Sequence, residues 1–332
     1  MTEPMTRSYP ELISEIRRLR EENERMRAWN PLRGCSRVSE GCRHCYAERV
    51  AARFSGPGMP YEGLATRGPA RWTGEVRLVE DHLHDPLKWR KPRRIRVCEM
   101  SDLFHERVPD EWIDRVFAVM AISPQHTFQI LTKRPERMRR YFENLTERTT
   151  RILIECDEID APKPGRLDVP LPNVWLGVSI EDQATAEARV PLLLQTPAAV
   201  RFVSYEPALG PVDFTDLVIE RSAGAETHFD ALTCDVDVDD DGPYLGRTLD
   251  WIIVGGEYGP GARPFDVAWI RSTRDQCRAA GVCCFCQAAR GGAEGGGCRG
   301  AVRRSPRLRA GRGRPRRGEA RGRRGPRKGV RR

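Results

Sequence analysis

The 332-residue chain predicts an α/β fold, a partial (β/α)6 barrel of the TIM type, on three observations. Short apolar runs rich in β-branched and aromatic residues recur, separated by helical or loop intervals, which implies parallel strands joined by right-handed crossovers. The runs are apolar almost throughout, as strands buried on both faces are. Each run also ends in polar or charged residues, and parallel barrels build their sites on that rim.

In chain order, residues 1–28 read as a charged helix. Within 10–27, Leu12, Ile16, Leu19, Asn23 and Met26 follow a 4-3-4-3 step, a coiled-coil-like seam of two heptads. That is too short to hold a dimer, so a surface helix laid on the body is expected. The barrel then occupies 29–280. A short strand at 28–30 precedes the strands 95–100, ending in Ser101-Asp102, and 127–131, ending in Thr132-Lys133-Arg134. Next come 174–178, ending in Ser179-Ile180-Glu181, and 200–203, ending in Ser204-Tyr205-Glu206-Pro207. The sixth strand, 251–254, ends in Gly255-Gly256-Glu257. The helical interval 111–122 gathers Trp112, Val116, Phe117 and Met120 on one face, and 183–194 is similar. Two insertions break the pattern, at 155–172 and 222–247. The second holds an acidic run, 235–241, that lacks the Gly and terminal Glu of an EF-hand and reads as a solvated loop.

Residues 281–332 form an Arg/Gly-rich tail. From Ala288 onward, 37 of 45 residues are Gly, Arg, Ala or Pro, and none is Ile, Phe, Tyr, Trp or Met. Such a segment cannot build a core and is expected to be disordered. It carries 17 basic and 2 acidic residues, so the chain's net charge of +9 leaves residues 1–287 at −6. Arg, Gly, Ala and Pro are also what a GC-rich gene yields out of frame, and a frameshift near Cys283 accounts for the abrupt change. Cys283, Cys284, Cys286 and Cys298 are therefore not read as a second metal site. No apolar stretch has membrane-spanning length and no signal peptide is present, so a cytoplasmic, reducing setting is expected. There Cys98, Cys156, Cys234 and Cys277 read as isolated thiols.

The segment 34–46 concentrates the chemistry. Cys35, Cys42 and Cys45 fall in the spacing C-x6-C-x2-C, and the next cysteine is Cys98. Three thiols on one loop can hold a metal centre and leave a coordination position open. A zinc site needs a fourth ligand, His44 or a distant residue, and His44 directly adjoins Cys45, which makes joint ligation of one tetrahedral ion awkward. A zinc-binding module and a nucleic-acid binder driven by the tail are the readings without catalysis.

The stretch from Trp29 through Cys35 to Glu48 resembles the phage-associated Gp thirty-seven / Gp sixty-eight family, whose function is unknown and which is similar to radical S-adenosylmethionine (radical SAM) proteins. Met100-Ser101-Asp102-Leu103-Phe104-His105, Leu131-Thr132-Lys133-Arg134-Pro135, Leu176-Gly177-Val178-Ser179, Ser204-Tyr205-Glu206-Pro207 and Val254-Gly255-Gly256-Glu257 extend the resemblance, as do Gly259 to Pro264. It covers roughly 28–281. The family usually lacks the N-terminal helix and continues after Gly281-Val282 through an aromatic Lys-Gln-Trp-Gly segment that this chain does not have.

The resemblance implies a radical SAM enzyme in which Cys35, Cys42 and Cys45 ligate three irons of a 4Fe–4S cluster. SAM would bind the fourth iron, and its reductive cleavage would give a 5′-deoxyadenosyl radical. The common superfamily spacing is C-x3-C-x2-C, three residues shorter than here. His44 would pack on the adenine, Asp102, Glu206 or Glu257 would hold the SAM ammonium or ribose, and Lys133 or Arg134 its carboxylate or a substrate phosphate. For each rim residue the plain alternative is an ion-pair network closing the barrel mouth. Implied partners are a flavodoxin- or ferredoxin-type electron donor, a three-Cys-motif protein and a nucleic-acid substrate, with no membrane.

Overall fold

The computed structural model describes residues 26–163, 167, 169–220, 226–234, 247–257, 259 and 261–286. The expected N-terminal helix up to residue 25, the acidic run 235–241 and the tail from residue 287, with Cys298, lie outside the described residues. Strands β1 (Met26–Trp29), β2 (Arg94–Val97), β3 (Thr127–Thr132), β4 (Val174–Ile180), β5 (Val200–Tyr205), β6 (Trp251–Val254) and β7 (Cys283–Cys286) form one sheet. Every pairing is parallel and follows chain order, which makes the sheet a half-barrel with β1 and β7 at its two edges.

The α/β class and the parallel sheet are as the sequence predicts, but there are seven strands rather than six. The additional one lies where composition suggested a break: Cys283 pairs with Trp251 and Cys286 with Val254. Met26 and Arg27, expected to close a helix, are extended and in register with Arg94 and Ile95. Ladder hydrogen bonds to β2 override their helical spacing.

The principal helices are α1 (Tyr46–Arg53), α2 (Asp110–Ile122), α3 (Pro135–Tyr141), α4 (Leu145–Glu158), α5 (Gln183–Gln195) and α6 (Val267–Ala280). Their ends are chemically marked. Asp182 and Thr185 form a reciprocal capping box on α5, Asn144 caps α4, and Asp266 caps α6. Gly281, at φ 71°, closes α6 and turns the chain into β7.

One face of the sheet carries the main core. Ile95, Val97, Phe128, Ile130, Leu176, Val178, Val203, Tyr205, Ile252 and Val254 are buried in it with Ile113, Val116 and Phe117 of α2 and Val190 and Leu193 of α5. Alternation sends their neighbours to the concave face. There Trp175, Val200 and Phe202 form a small floor with Trp251 and Ile253. A Cβ at Gly177 would lie 2.5 Å from the Phe202 ring, so only glycine lets that ring cross the sheet. Arg96, Leu131 and Phe285, on the same face, are exposed.

Cys277 is not isolated. Cys284 and Cys286 of β7 pack into the same cluster, on the face against α6, and Cys277 influences the ionisation of Cys284. Between β1 and β2 the chain carries the cysteine loop, α1 and two small antiparallel ladders, Leu32–Arg33 with Arg77–Leu78 and Ala65–Thr66 with Arg71–Trp72.

Candidate functional site

The cysteine loop leaves β1 and crosses the C-terminal rim of the sheet. Gly34, at φ 96°, starts it, and a Cβ there would come within 2.1 Å of the Glu75 carbonyl. Gly34 also bridges to Ser101 just beyond β2. From there the loop is held down at three points by side chains from strand ends.

The first point is Arg134, after β3. It is buried, and its Nη2 donates to the Ser36 carbonyl at 3.1 Å and to Ser36 Oγ at 2.8 Å. Its Nη1 donates to Asp102 Oδ2 at 3.0 Å and points at Cys35 Sγ at 3.9 Å, while Nε lies 2.9 Å from Glu106. His105 Nδ1 accepts from the Arg107 amide at 3.1 Å, which leaves the proton on Nε2 to meet Ser36 Oγ at 2.9 Å.

The second point is Glu181, after β4, with a side chain 1% exposed. Its Oε1 accepts from Ser39 Oγ at 2.9 Å and from Lys133 Nζ at 2.5 Å, and its Oε2 from Arg189 of α5 at 3.0 Å. Lys133 Nζ also reaches Ser179 Oγ. A Cβ on Gly41 would lie 2.2 Å from Glu181 Oε1, so the loop seats on the carboxylate only because residue 41 has no side chain.

The third point is Glu257, after β6. His44 Nδ1 lies 2.9 Å from Oε2, and Arg263 donates its amide to Oε2 at 2.9 Å and its Nη2 to Oε1 at 2.7 Å. Arg263 Nη2 also donates to the Glu40 carbonyl at 2.9 Å. Burial favours the protonated acid, yet the hydrogen bonds from Arg263 and His44 outweigh it and hold Glu257 at about 2. Arg37 anchors the loop to α1 through the buried Glu48, whose Oε1 also accepts the Trp72 amide at 2.9 Å.

These contacts bring every predicted site residue to one rim, with distinct chemical positions. Asp102 accepts from Phe104 N, Thr132 Oγ1, Lys133 N and Arg134 Nη1, which fills the acceptor capacity of a carboxylate. Glu257 and Lys133 are likewise engaged. Glu206 differs: among the described residues its carboxylate meets only Ser204 Oγ, at 3.2 Å. Burial, opposed by that bond and by the charge of Arg96, raises its pKa above the usual carboxylate value.

The three cysteines are half-buried on the loop. Burial, then the charge of Asp102, pushes the Cys35 thiol up to about 12, against the pull of Arg134. Cys45 caps α1, and burial raises its pKa although the Glu48 and Ala47 amides aim at its sulfur. Cys35 feels the charge of Cys45, and Cys45 that of Cys42. Among the described residues no group of three or more His, Cys, Asp or Glu is already arranged around a metal position. The donor set nevertheless suits a soft, incompletely ligated centre: three thiols on one clamped loop, with His44 Nδ1 committed to Glu257.

Sequence reading missed Ser36, Ser39, Gly41, Arg189 and Arg263 as parts of this assembly. Ser36, Ser39 and Gly41 fall within the segment 34–46 and Arg263 in the run from Gly259 to Pro264; Arg189 carries no local signal. No helix among the described residues is long and apolar enough to cross a membrane. No curated protein and no solved structure matches the chain. The family model described as a protein of unknown function (DUF5131) matches residues 23–311, and the chain belongs to that family.

Proposed function

We propose that the protein is a radical SAM enzyme, akin to the phage Gp thirty-seven / Gp sixty-eight proteins, in which Cys35, Cys42 and Cys45 hold a 4Fe–4S cluster and SAM completes its coordination. The observation that carries this reading is the three-thiol loop, with no fourth thiol beside it, pinned to the rim of a parallel half-barrel by Arg134, Glu181 and Glu257. When bound, the cluster supplies the electron that splits the sulfonium of SAM.

The chain's own residues fix and insulate that site. Arg134 beside Cys35 favours its thiolate, but burial and Asp102 still hold the thiol at about 12, so its ionisation needs the further positive charge that a bound metal centre would supply. The three clamps set the height of the loop above the sheet before any ligand arrives, which is the preorganisation that positioning chemistry requires. Asp102 and Glu257 act by holding Arg134 and His44. Glu206, with one hydrogen bond and a raised pKa, is the rim carboxyl open to a ligand ammonium or hydroxyl. The aromatic floor of Trp175, Phe202 and Trp251 keeps water from the base of the concave face.

An external flavodoxin- or ferredoxin-type donor and a three-Cys-motif partner belong to this reading. The test is anaerobic reconstitution with iron and sulfide, followed by assay of SAM cleavage to 5′-deoxyadenosine. The second reading is a zinc-binding module without catalysis, and it requires a fourth ligand beyond the three thiols. Pairing of Nδ1 with Glu257 leaves His44 only Nε2 for such a role, and the direct adjacency of His44 to Cys45 makes joint ligation of one tetrahedral ion awkward, so that reading is the less favoured.

A further inference from the structure

A basic strip borders the β1 edge of the half-barrel. Residues 88–96 hold six basic side chains in nine positions and no acidic one, in a body whose net charge is negative. Arg90 and Lys91 are exposed just before β2, and Arg94 and Arg96 lie within it. Because Ile95 and Val97 point into the core beneath the helices, Arg94 and Arg96 point to the concave face. On edge strand β1, Met26 pairs with Arg94 and shares its face, whereas Arg27, in register with Ile95, lies on the helix-covered face and outside the strip. Arg90, Lys91 and Arg94 have no ion-pair partner among the described residues. Unpaired cations at this density repel one another and favour an anionic partner.

The strip leads to the candidate site. Arg96 pairs with Glu99 at 2.7 Å, and its charge is felt by both Glu206 and Tyr46. Tyr46 directly follows Cys45, is 54% exposed, and has its hydroxyl 3.5 Å from the Glu99 carbonyl. Leu131, on the concave face one strand in from Arg96, is 37% exposed. A cationic track flanked by exposed aromatic and apolar groups is the combination that binds single strands, phosphates on the cations and bases against the rings. A flat bilayer cannot enter a concave face.

We propose that this strip binds a single-stranded nucleic acid, whose phosphates follow Arg90, Lys91 and Arg94 and whose bases reach the rim at Arg96, Leu131 and Tyr46. The binding stands without the cluster; that the strand is a substrate rests on the radical SAM reading.

The test uses the full chain and a fluorescein-labelled single-stranded oligonucleotide of mixed sequence. Affinity is measured across a salt series for the wild type and for a variant combining Arg90→Ala, Lys91→Ala and Arg94→Ala. Three lost phosphate contacts should lower the slope of log K against log salt by about 2. Both proteins carry the same basic tail, so the difference reports the strip. Photo-cross-linking of the wild type, which needs no variant to fold, should mark residues 88–96 and Tyr46. Equal slopes with cross-links confined to residues 287–332 would overturn the proposal. So would tighter binding to duplex DNA or to phosphatidylserine vesicles than to the single strand. Because neither iron nor SAM enters the assay, failure here leaves the cluster reading standing, and failure to form a cluster leaves this binding standing.

Discussion

Ser39 donates its hydroxyl to Glu181 at 2.9 Å across 142 residues of chain, and this bond joins the cysteine loop to the centre of the half-barrel. Glu181 is also the shared partner of Lys133 and Arg189, so the loop rests on a buried charge network rather than on apolar packing.

Replacing Glu181 with Ala leaves Lys133 and Arg189 without their carboxylate in a buried setting. Breaking a buried pair from one side costs about 3–5 kcal/mol, and urea unfolding should register a loss of that order. Ser39→Ala removes one hydrogen bond and should cost about 1 kcal/mol.

Gly41→Ala tests the seating of the loop. Its Cβ would collide with Glu181 Oε1, which two cations hold in place, so the loop must lift. Overpacking of this kind costs roughly 1–3 kcal/mol. The variant should also bind less iron per chain than wild type under identical reconstitution. An unchanged melting temperature together with full iron content would refute the contact.

Acid stability should fall in two stages. Burial, and beside His105 the charge of Arg134, lowers the pKa of His105 and His126 below the ordinary 6.5. A histidine kept neutral in the fold binds its proton more readily when unfolded, so its stabilisation is full above 6.5 and declines as pH falls below that value. Glu257 has the depressed-carboxylate sign: its contribution is complete above 4.5 and disappears as pH falls towards about 2. Denaturant midpoints measured from pH 7 to pH 2 should show both declines, and Glu257→Gln should flatten only the lower one.

Substituting Ser for Cys35, Cys42 or Cys45 singly should abolish iron binding, whereas Cys277→Ser and Cys284→Ser should retain it. Those two thiols lie against α6, on the opposite face of the sheet from the concave floor. Iron and sulfide analysis of each purified variant decides the matter.

Much of this architecture was legible in the sequence because parallel strands buried on both faces leave continuous apolar runs, as in residues 174–178. The polar residues ending those runs marked the rim correctly. β7 was not legible, because Cys283-Cys284-Phe285-Cys286 adjoins a compositional break and was read as part of it. The two-residue ladders around Leu32 and Ala65 are too short for any period to show. Within the site, individual residues were visible but their pairings were not. Ser36 meets Arg134 over 98 positions and His44 meets Glu257 over 213, separations that only the fold closes. Asp102 shows the consequence: a strand-end carboxylate that resembles a ligand in sequence is fully occupied by Phe104, Thr132, Lys133 and Arg134.

The central claim is that the clamped thiols take an incompletely ligated iron–sulfur centre. Its most direct test is metal and sulfide analysis of anaerobically reconstituted protein, paired with detection of 5′-deoxyadenosine after adding SAM and a strong reductant. The account predicts about four iron and four sulfide per chain and release of the nucleoside. Stoichiometric zinc with neither iron nor sulfide, and no nucleoside, would contradict it.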